Sequence, residues 1–292
     1  MADRVRIADG RLSAEIALRG AELQRLTDGS AGELLWNGDP AFWTGRAPIL
    51  FPIVGTLADN RYRHDGRSFS LPRHGFAKTM DFALIEADRG AALLRLEADD
   101  ATRAAYPFAF RLDLRFALAD DALTMTATIA NRGAGAMPAS FGFHPALCWP
   151  LPYGATRAAH RMRFAEDEPA PVARIDGAGL VRPDREPTRV AGRELRLRDA
   201  LFDEDALIFL APASRALVYG APGHTALAID WDLPELGIWT KPGAGYVCVE
   251  PWAGHSDPQG FAGTIEDKPG IFLLAPGEER RFTMRIGLRD RY

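Results

Sequence analysis

Four short segments of the chain concentrate residues able to hold a polar ligand and move protons. They are Trp43-Thr44-Gly45-Arg46-Ala47-Pro48-Ile49-Leu50-Phe51-Pro52, Arg73-His74-Gly75-Phe76-Ala77-Lys78, Phe141-Gly142-Phe143-His144-Pro145-Ala146 and Tyr246-Val247-Cys248-Val249-Glu250-Pro251-Trp252. Aromatic rings offer flat apolar faces on which the C–H face of a sugar stacks, while His, Arg, Asp and Glu reach hydroxyls. The mixture suits a carbohydrate. Glu250 follows the apolar run Val247-Cys248-Val249 and precedes Pro251-Trp252, so it ends an otherwise buried strand. A carboxyl group there must find partners or shift its pKa, which is what a general base needs. A buried ion pair with an arginine is the structural alternative. Taken singly, His74 and His144 beside Gly and Pro fit hydrogen-bonded structural roles as readily as catalytic ones.

The elements that must position these groups read as strands. Apolar residues alternate with period two at Leu12, Ala14, Ile16 and Leu18, along Phe108 to Leu118, along Leu123 to Ile129, and from Phe282 to Leu288. The second and third runs are separated by Ala119-Asp120-Asp121-Ala122, a polar break of hairpin length. Stretches with helical periodicity are scarce, and 21 prolines and 28 glycines punctuate the chain as a many-stranded sandwich requires. No linker or internal repeat divides it, so residues 1–292 are expected to form a single domain. Between roughly 155 and 195 the sequence turns polar and irregular, predicting long loops more mobile than the rest.

Composition narrows the partners. With 47% apolar and 25% charged residues the chain can bury a substantial core, and a net charge of −4 with scattered Lys and Arg gives no footprint for nucleic acid. No window approaches 18 consecutive apolar residues and the first residues lack a secretory pattern, so no membrane association and a cytoplasmic location are expected. Cys148 and Cys248 have no metal-site spacing and read as reduced core thiols; Cys148 has no evident base. His255 reads as an exposed loop residue, whereas Trp36, Trp43 and Trp239 fit stacking platforms or core equally.

The order RAPILFPIVG, RHGFAK, FGFHPA and GYVCVEPWAG, framed by GAELQRL near the start and LAPGEERRFTMRI near the end, resembles the aldose 1-epimerase (mutarotase) family, in particular its bacterial branch of mutarotase-like proteins. The resemblance spans nearly the whole chain. It implies an all-β fold, the large antiparallel galactose mutarotase-like supersandwich, and an isomerase acting on a small sugar. It also implies Glu250 as base on the anomeric hydroxyl, His144 as acid on the ring oxygen, His74 and Asp205 as binding and polarising groups, and Arg46 as a contact to substrate hydroxyls. Asp203 would share Asp205's side of an extended strand and stands as its alternative. Opening the C1–O5 bond needs one base and one acid and no metal or cofactor; Glu250 ionised and His144 protonated would serve.

Lys78 departs from the arginine expected in HGFAR, exchanging a bidentate contact for a point charge. Arg46, Arg73 and Lys78 could together hold an anionic group, giving a sugar-phosphate (hexose 6-phosphate) 1-epimerase as the alternative. A non-catalytic sugar-binding protein would use the same aromatics. A glycoside hydrolase would need paired carboxylates such as Glu250 and Asp205, but would leave both histidines unexplained. Both a monomer and a homodimer fit the sequence.

Overall fold

The computed structural model describes residues 3–292. The central hairpin pairs Phe110–Ala119 with Ala122–Asn131, and Ala119 lies opposite Ala122. The turn therefore consists of Asp120 and Asp121 alone, at φ +51° and +52°. Two successive left-handed residues match the right-handed twist of the flanking strands. The alternating Phe110, Leu112, Leu114 and Phe116 are buried to 2% exposure or less, as a strand with one face on the core requires.

This hairpin lies within a nine-stranded antiparallel sheet. Its order is Glu194–Arg196, Arg161–Phe164, Ala216–Gly220, Ala226–Trp231, Glu279–Arg289, Ala122–Asn131, Phe110–Ala119, Ala91–Glu97 and Ala83–Ala87. A four-stranded sheet runs from Arg4–Asp9 through Leu12–Ala17 and Leu23–Asp28 to Gly32–Glu33. The one α-helix among the described residues is the six-residue Asp100–Ala105, closed by a reciprocal Asp99–Thr102 capping box. The fold is an antiparallel β-sandwich.

The sheet that matters for function has six strands. Leu207–Phe209, Glu235–Trp239, Tyr246–Ala253, Phe141–Phe143 and Ile49–Leu50 follow one another, and Ala146–Cys148 also pairs with Tyr246–Ala253. All eight residues of Tyr246–Ala253 are buried, but the two faces differ. Val247 and Val249 join the main core together with Leu236, Ile238, Leu207 and Phe143. Tyr246 and Cys248 belong to a second apolar cluster and Trp252 to a third. Period two thus sends the odd residues to the core and the even ones, Glu250 among them, to the opposite face.

Two glycines make room on that face. A Cβ on Gly142 would come 2.6 Å from Trp252 Cδ1, and one on Gly237 would come 2.5 Å from Trp252 Cη2. The indole of Trp252 thus lies across both neighbouring strands.

Between its strands Arg161–Phe164 and Glu194–Arg196 the segment 155–195 is irregular, as its composition predicts, but part of it is interior. Arg174, 5% exposed, pairs with Glu186 at 3.1 Å and donates to the carbonyls of Leu201, Asp205 and Ala206 at 3.1, 2.8 and 3.3 Å.

The turn carrying His74 is compressed. His74 and Gly75 both take left-handed conformations, at φ +67° and +68°. The amides of Phe76 and Ala77 both donate to the Phe51 carbonyl. A Cβ on Gly75 would lie 2.2 Å from that same oxygen, whereas Gly66, also at φ +68°, has nothing within 4 Å. Gly66→Ala should then cost only the left-handed penalty of about 1–2 kcal/mol. Gly75→Ala should lose at least about 3 kcal/mol, because steric overlap is added to it. Denaturant midpoints would read the difference; equal losses would refute the close approach.

Candidate active site

The even face of Tyr246–Ala253 floors a cavity of about 530 Å³, within the range of small-molecule sites. Glu250, Trp252, His144 and Trp239 come from the sheet; Trp43, Thr44, His74, Arg73, Lys78, Asp205 and Ile175 come from segments around it. His74, His144, Asp205 and Glu250, up to 176 residues apart (250 − 74), share this space.

Strand register sets the central contact. Gly142 pairs with Trp252, and after a break at His144-Pro145 the ladder resumes with Ala146 opposite Cys248. His144 therefore stands level with Glu250, and His144 Nε2 lies 3.1 Å from Glu250 Oε2. Both groups are buried, at 7% and 2% exposure. Trp43 lies along one side of the imidazole, ring centroids 5.0 Å apart and planes at 33°, while Trp239 meets it edge-on at 6.1 Å. His144 Nδ1 has no hydrogen-bond partner among the described residues.

Burial drives both members of the pair toward their neutral forms. It pulls His144 down to about 3, with Arg73 and Lys78 adding to the effect. It raises Glu250 well above the carboxylate range; Arg73 opposes that shift and Asp205 reinforces it. Burial thus favours placing the pair's single proton on Glu250. This direction runs against the expectation of an ionised glutamate beside a protonated histidine, because loss of water opposes the charge separation.

His74 is held by its neighbour's backbone. Its amide donates to the Gly55 carbonyl at 2.8 Å, and Gly55 N–H donates to His74 Nδ1 at 3.1 Å. Burial, with His144, Arg73 and Lys78 nearby, keeps its pKa well below the ordinary value. Arg73 Nε lies 3.3 Å from His74 Nε2, and a neutral imidazole accepts at one ring nitrogen only, so the Gly55 and Arg73 N–H groups compete as its donors.

Asp205 precedes strand Leu207–Phe209 in a left-handed conformation at φ +68°, and its Oδ1 accepts from the Ala206 amide at 2.7 Å. Asp203, the alternative, is exposed and does not line the cavity. The backbone there turns instead of extending, so a two-residue step does not return to the same side. Arg174 holds the turn through the Asp205 and Ala206 carbonyls.

Arg46 is a correction. Its guanidinium donates to the Gln24 carbonyl at 2.7 Å, and it is absent from the cavity wall. Arg73 and Lys78 are there in its place, and neither has a carboxylate within ion-pair distance among the described residues. Lys78 Nζ donates to the Arg73 carbonyl at 2.8 Å.

Sequence reasoning also missed Glu22, which lines the cavity while its Oε1 accepts from the amides of Arg46 and Ala47 at 2.8 and 3.0 Å. GAELQRL is where it could have been found, as the only acid in that motif. Trp43 and Trp239 border the cavity, whereas Trp36 sits behind, its Nε1 donating to the Trp43 carbonyl. His255 is buried, not exposed, and its Nδ1 lies 2.9 Å from Glu235 Oε1. Both cysteines are unpaired.

The chain resembles known proteins over nearly its whole length. Residues 3–287 match the aldose 1-epimerase family. Protein LacX of Lactococcus lactis subsp. lactis is 28% identical over 276 residues, covering 91% of this chain and 92% of that protein. A galactose mutarotase-like protein from Lactobacillus casei superposes with a TM-score of 0.89 at 27% identity, over 98% of this chain and 100% of that one. A galactose mutarotase related enzyme from Lactobacillus acidophilus gives 0.89 at 26%, over 99% and 98%. A family match over nearly the full length, on an antiparallel β-sandwich whose cavity holds the buried Glu250–His144 contact, makes this chain an isomerase of the aldose 1-epimerase family.

Proposed function

We propose that the protein interconverts the α and β anomers of an aldose by opening and reclosing the sugar ring. The observation that carries this reading is the buried Glu250–His144 contact of 3.1 Å on the floor of a sugar-sized cavity. Two groups sharing one proton are what ring opening requires: Glu250 takes the proton of the O1 hydroxyl while His144 protonates O5. The open aldehyde rotates about C1–C2, and the reverse transfers close the ring on its other face.

The proton inventory gives each stage a distinct charge state. Opening begins with Glu250 ionised and His144 protonated, and ends with both neutral. Burial favours the neutral pair, so it favours the state that faces the open aldehyde. Arg73, which lowers the Glu250 pKa, and sugar hydroxyls that replace lost water help to form the ionised state. His74 contributes a neutral imidazole that hydrogen-bonds a hydroxyl, and Asp205 an acceptor for hydroxyls. Trp43, Trp239 and Trp252 supply apolar faces for the C–H side of the ring.

A second reading, that the sugar carries an anionic group such as a 6-phosphate, is favoured by one observation. Arg73 and Lys78 face the cavity without a carboxylate partner among the described residues. Convergent donors of this kind suit a phosphate.

These readings are tested by rate. Glu250→Gln and His144→Asn should each slow anomer interconversion by about 10²–10⁴-fold while sugar binding persists. The double variant should be scarcely slower than either single one, since the two groups act as a unit. Polarimetry or NMR magnetisation exchange on an accepted aldose reads this; wild-type rates in Glu250→Gln would leave a sugar-binding role in its place. Arg73→Ala should raise KM for an aldose 6-phosphate at least about tenfold if the anion reading holds, and should change KM for the neutral aldose little.

His74 adds a pH dependence. Its folded pKa lies below its unfolded value near 6.5, so the unfolded state binds more protons once the pH falls below about 6.5. Stability from this residue is therefore present above that pH and lost below it. Asn tolerates the left-handed backbone. The stability gap between wild type and His74→Asn should shift against wild type between about pH 7 and pH 5, measured by chemical denaturation; a pH-independent gap would refute the neutral imidazole.

A further inference from the structure

Behind the cavity wall, beside the Glu250–His144 pair, lies one donor that proton transfer does not use. Cys248 lies two residues before Glu250 on the same face of Tyr246–Ala253 and is fully buried. Its Sγ, one ring nitrogen of His144 and one carboxylate oxygen of Glu250 all lie within 4.8 Å of one another. No other group of three His, Cys, Asp or Glu ligand atoms comes so close together among the described residues.

We infer that His144, Cys248 and Glu250 form a binding site for a single zinc-class divalent ion. Nitrogen and carboxylate oxygen bound at about 2.0–2.2 Å to a tetrahedral ion stand about 3.3 Å apart. The His144–Glu250 contact of 3.1 Å already has that separation. Sulfur, bound at about 2.3 Å, must approach each of the others to about 3.6 Å, whereas the three ligand atoms lie within 4.8 Å of one another, so the site must close by about an ångström as the ion binds.

The donor set selects the ion. One imidazole, one thiolate and one carboxylate suit zinc or cobalt(II), whereas magnesium and calcium demand six or more oxygens. As the ion enters, the thiol proton and the proton shared by the pair leave, so two anionic ligands balance the two positive charges. Three protein ligands leave the fourth position for water or a sugar hydroxyl on the cavity side. Arg73, the cation that acts on Glu250, opposes binding and limits its strength.

Chelator-treated full-length protein titrated with zinc chloride in a calorimeter, and separately with cobalt(II) under an absorption spectrometer, tests this without any sugar. It therefore stands or falls apart from the mutarotase reading. The expected result is one equivalent bound with a Kd of about a micromolar or tighter, together with a thiolate-to-cobalt charge-transfer band. Cys248→Ser, which keeps the side-chain size, should abolish the band and weaken zinc at least about tenfold. Cys148→Ala should alter neither. Absence of saturable one-to-one binding, absence of the thiolate band in the wild type, or unchanged titration of a folded Cys248→Ser would each overturn the inference. Loss of the band in Cys148→Ala would do so too.

Discussion

Placing a carboxyl group and an imidazole side by side beneath the surface is the constraint on which the rest of the site depends. In water each would ionise independently. At 2% and 7% exposure, neither charge is solvated, and separate ionisation costs several kcal/mol per group. The pair is therefore confined to states holding one proton, and the low dielectric makes the position of that proton sensitive to what enters the cavity. A strand buried on both faces is needed to hold such a pair. Tyr246–Ala253 meets this need by sending Val247 and Val249 into the core, which pins the backbone, while Glu250 points the other way.

Two further site residues rest on unusual backbone. His74 and Asp205 are both left-handed, at φ +67° and +68°. Such conformations persist only where the surroundings over-determine them. For His74, the Gly55 and Phe51 backbones do so. For Asp205 it is Arg174, reaching from the irregular segment 155–195 into the interior. A polar, irregular stretch therefore supports the site from behind, and its Ile175 forms part of the wall.

Local charge differs from the average. The chain is acidic overall, with a net charge of −4, yet its cavity wall carries Arg73 and Lys78, without ion-pair partners among the described residues, alongside Asp205, Glu22 and a pair that burial drives toward neutrality. The potential felt by a ligand comes from these near groups, since exposed charges more than about a Debye length away are screened.

The strand pattern, the hairpin and the β-sandwich were legible in the sequence because period-two alternation is a local consequence of one face meeting a core. Glu250 was legible as an acid at the end of an apolar run, and His144 and His74 through short motifs in a recurring order. Arg46 was misread because a motif match says nothing about which way a long side chain turns, and its guanidinium found the Gln24 carbonyl. Choosing Asp205 over Asp203 needed the backbone turn before Leu207, and locating Trp43 and Trp239 at the cavity but Trp36 behind it needed the packing of three distant segments. The protonation of the pair was the furthest from reach. Residue types and order follow from the chain itself, but a pKa depends on how much water is excluded and which charges stand nearby, and only the folded arrangement decides both.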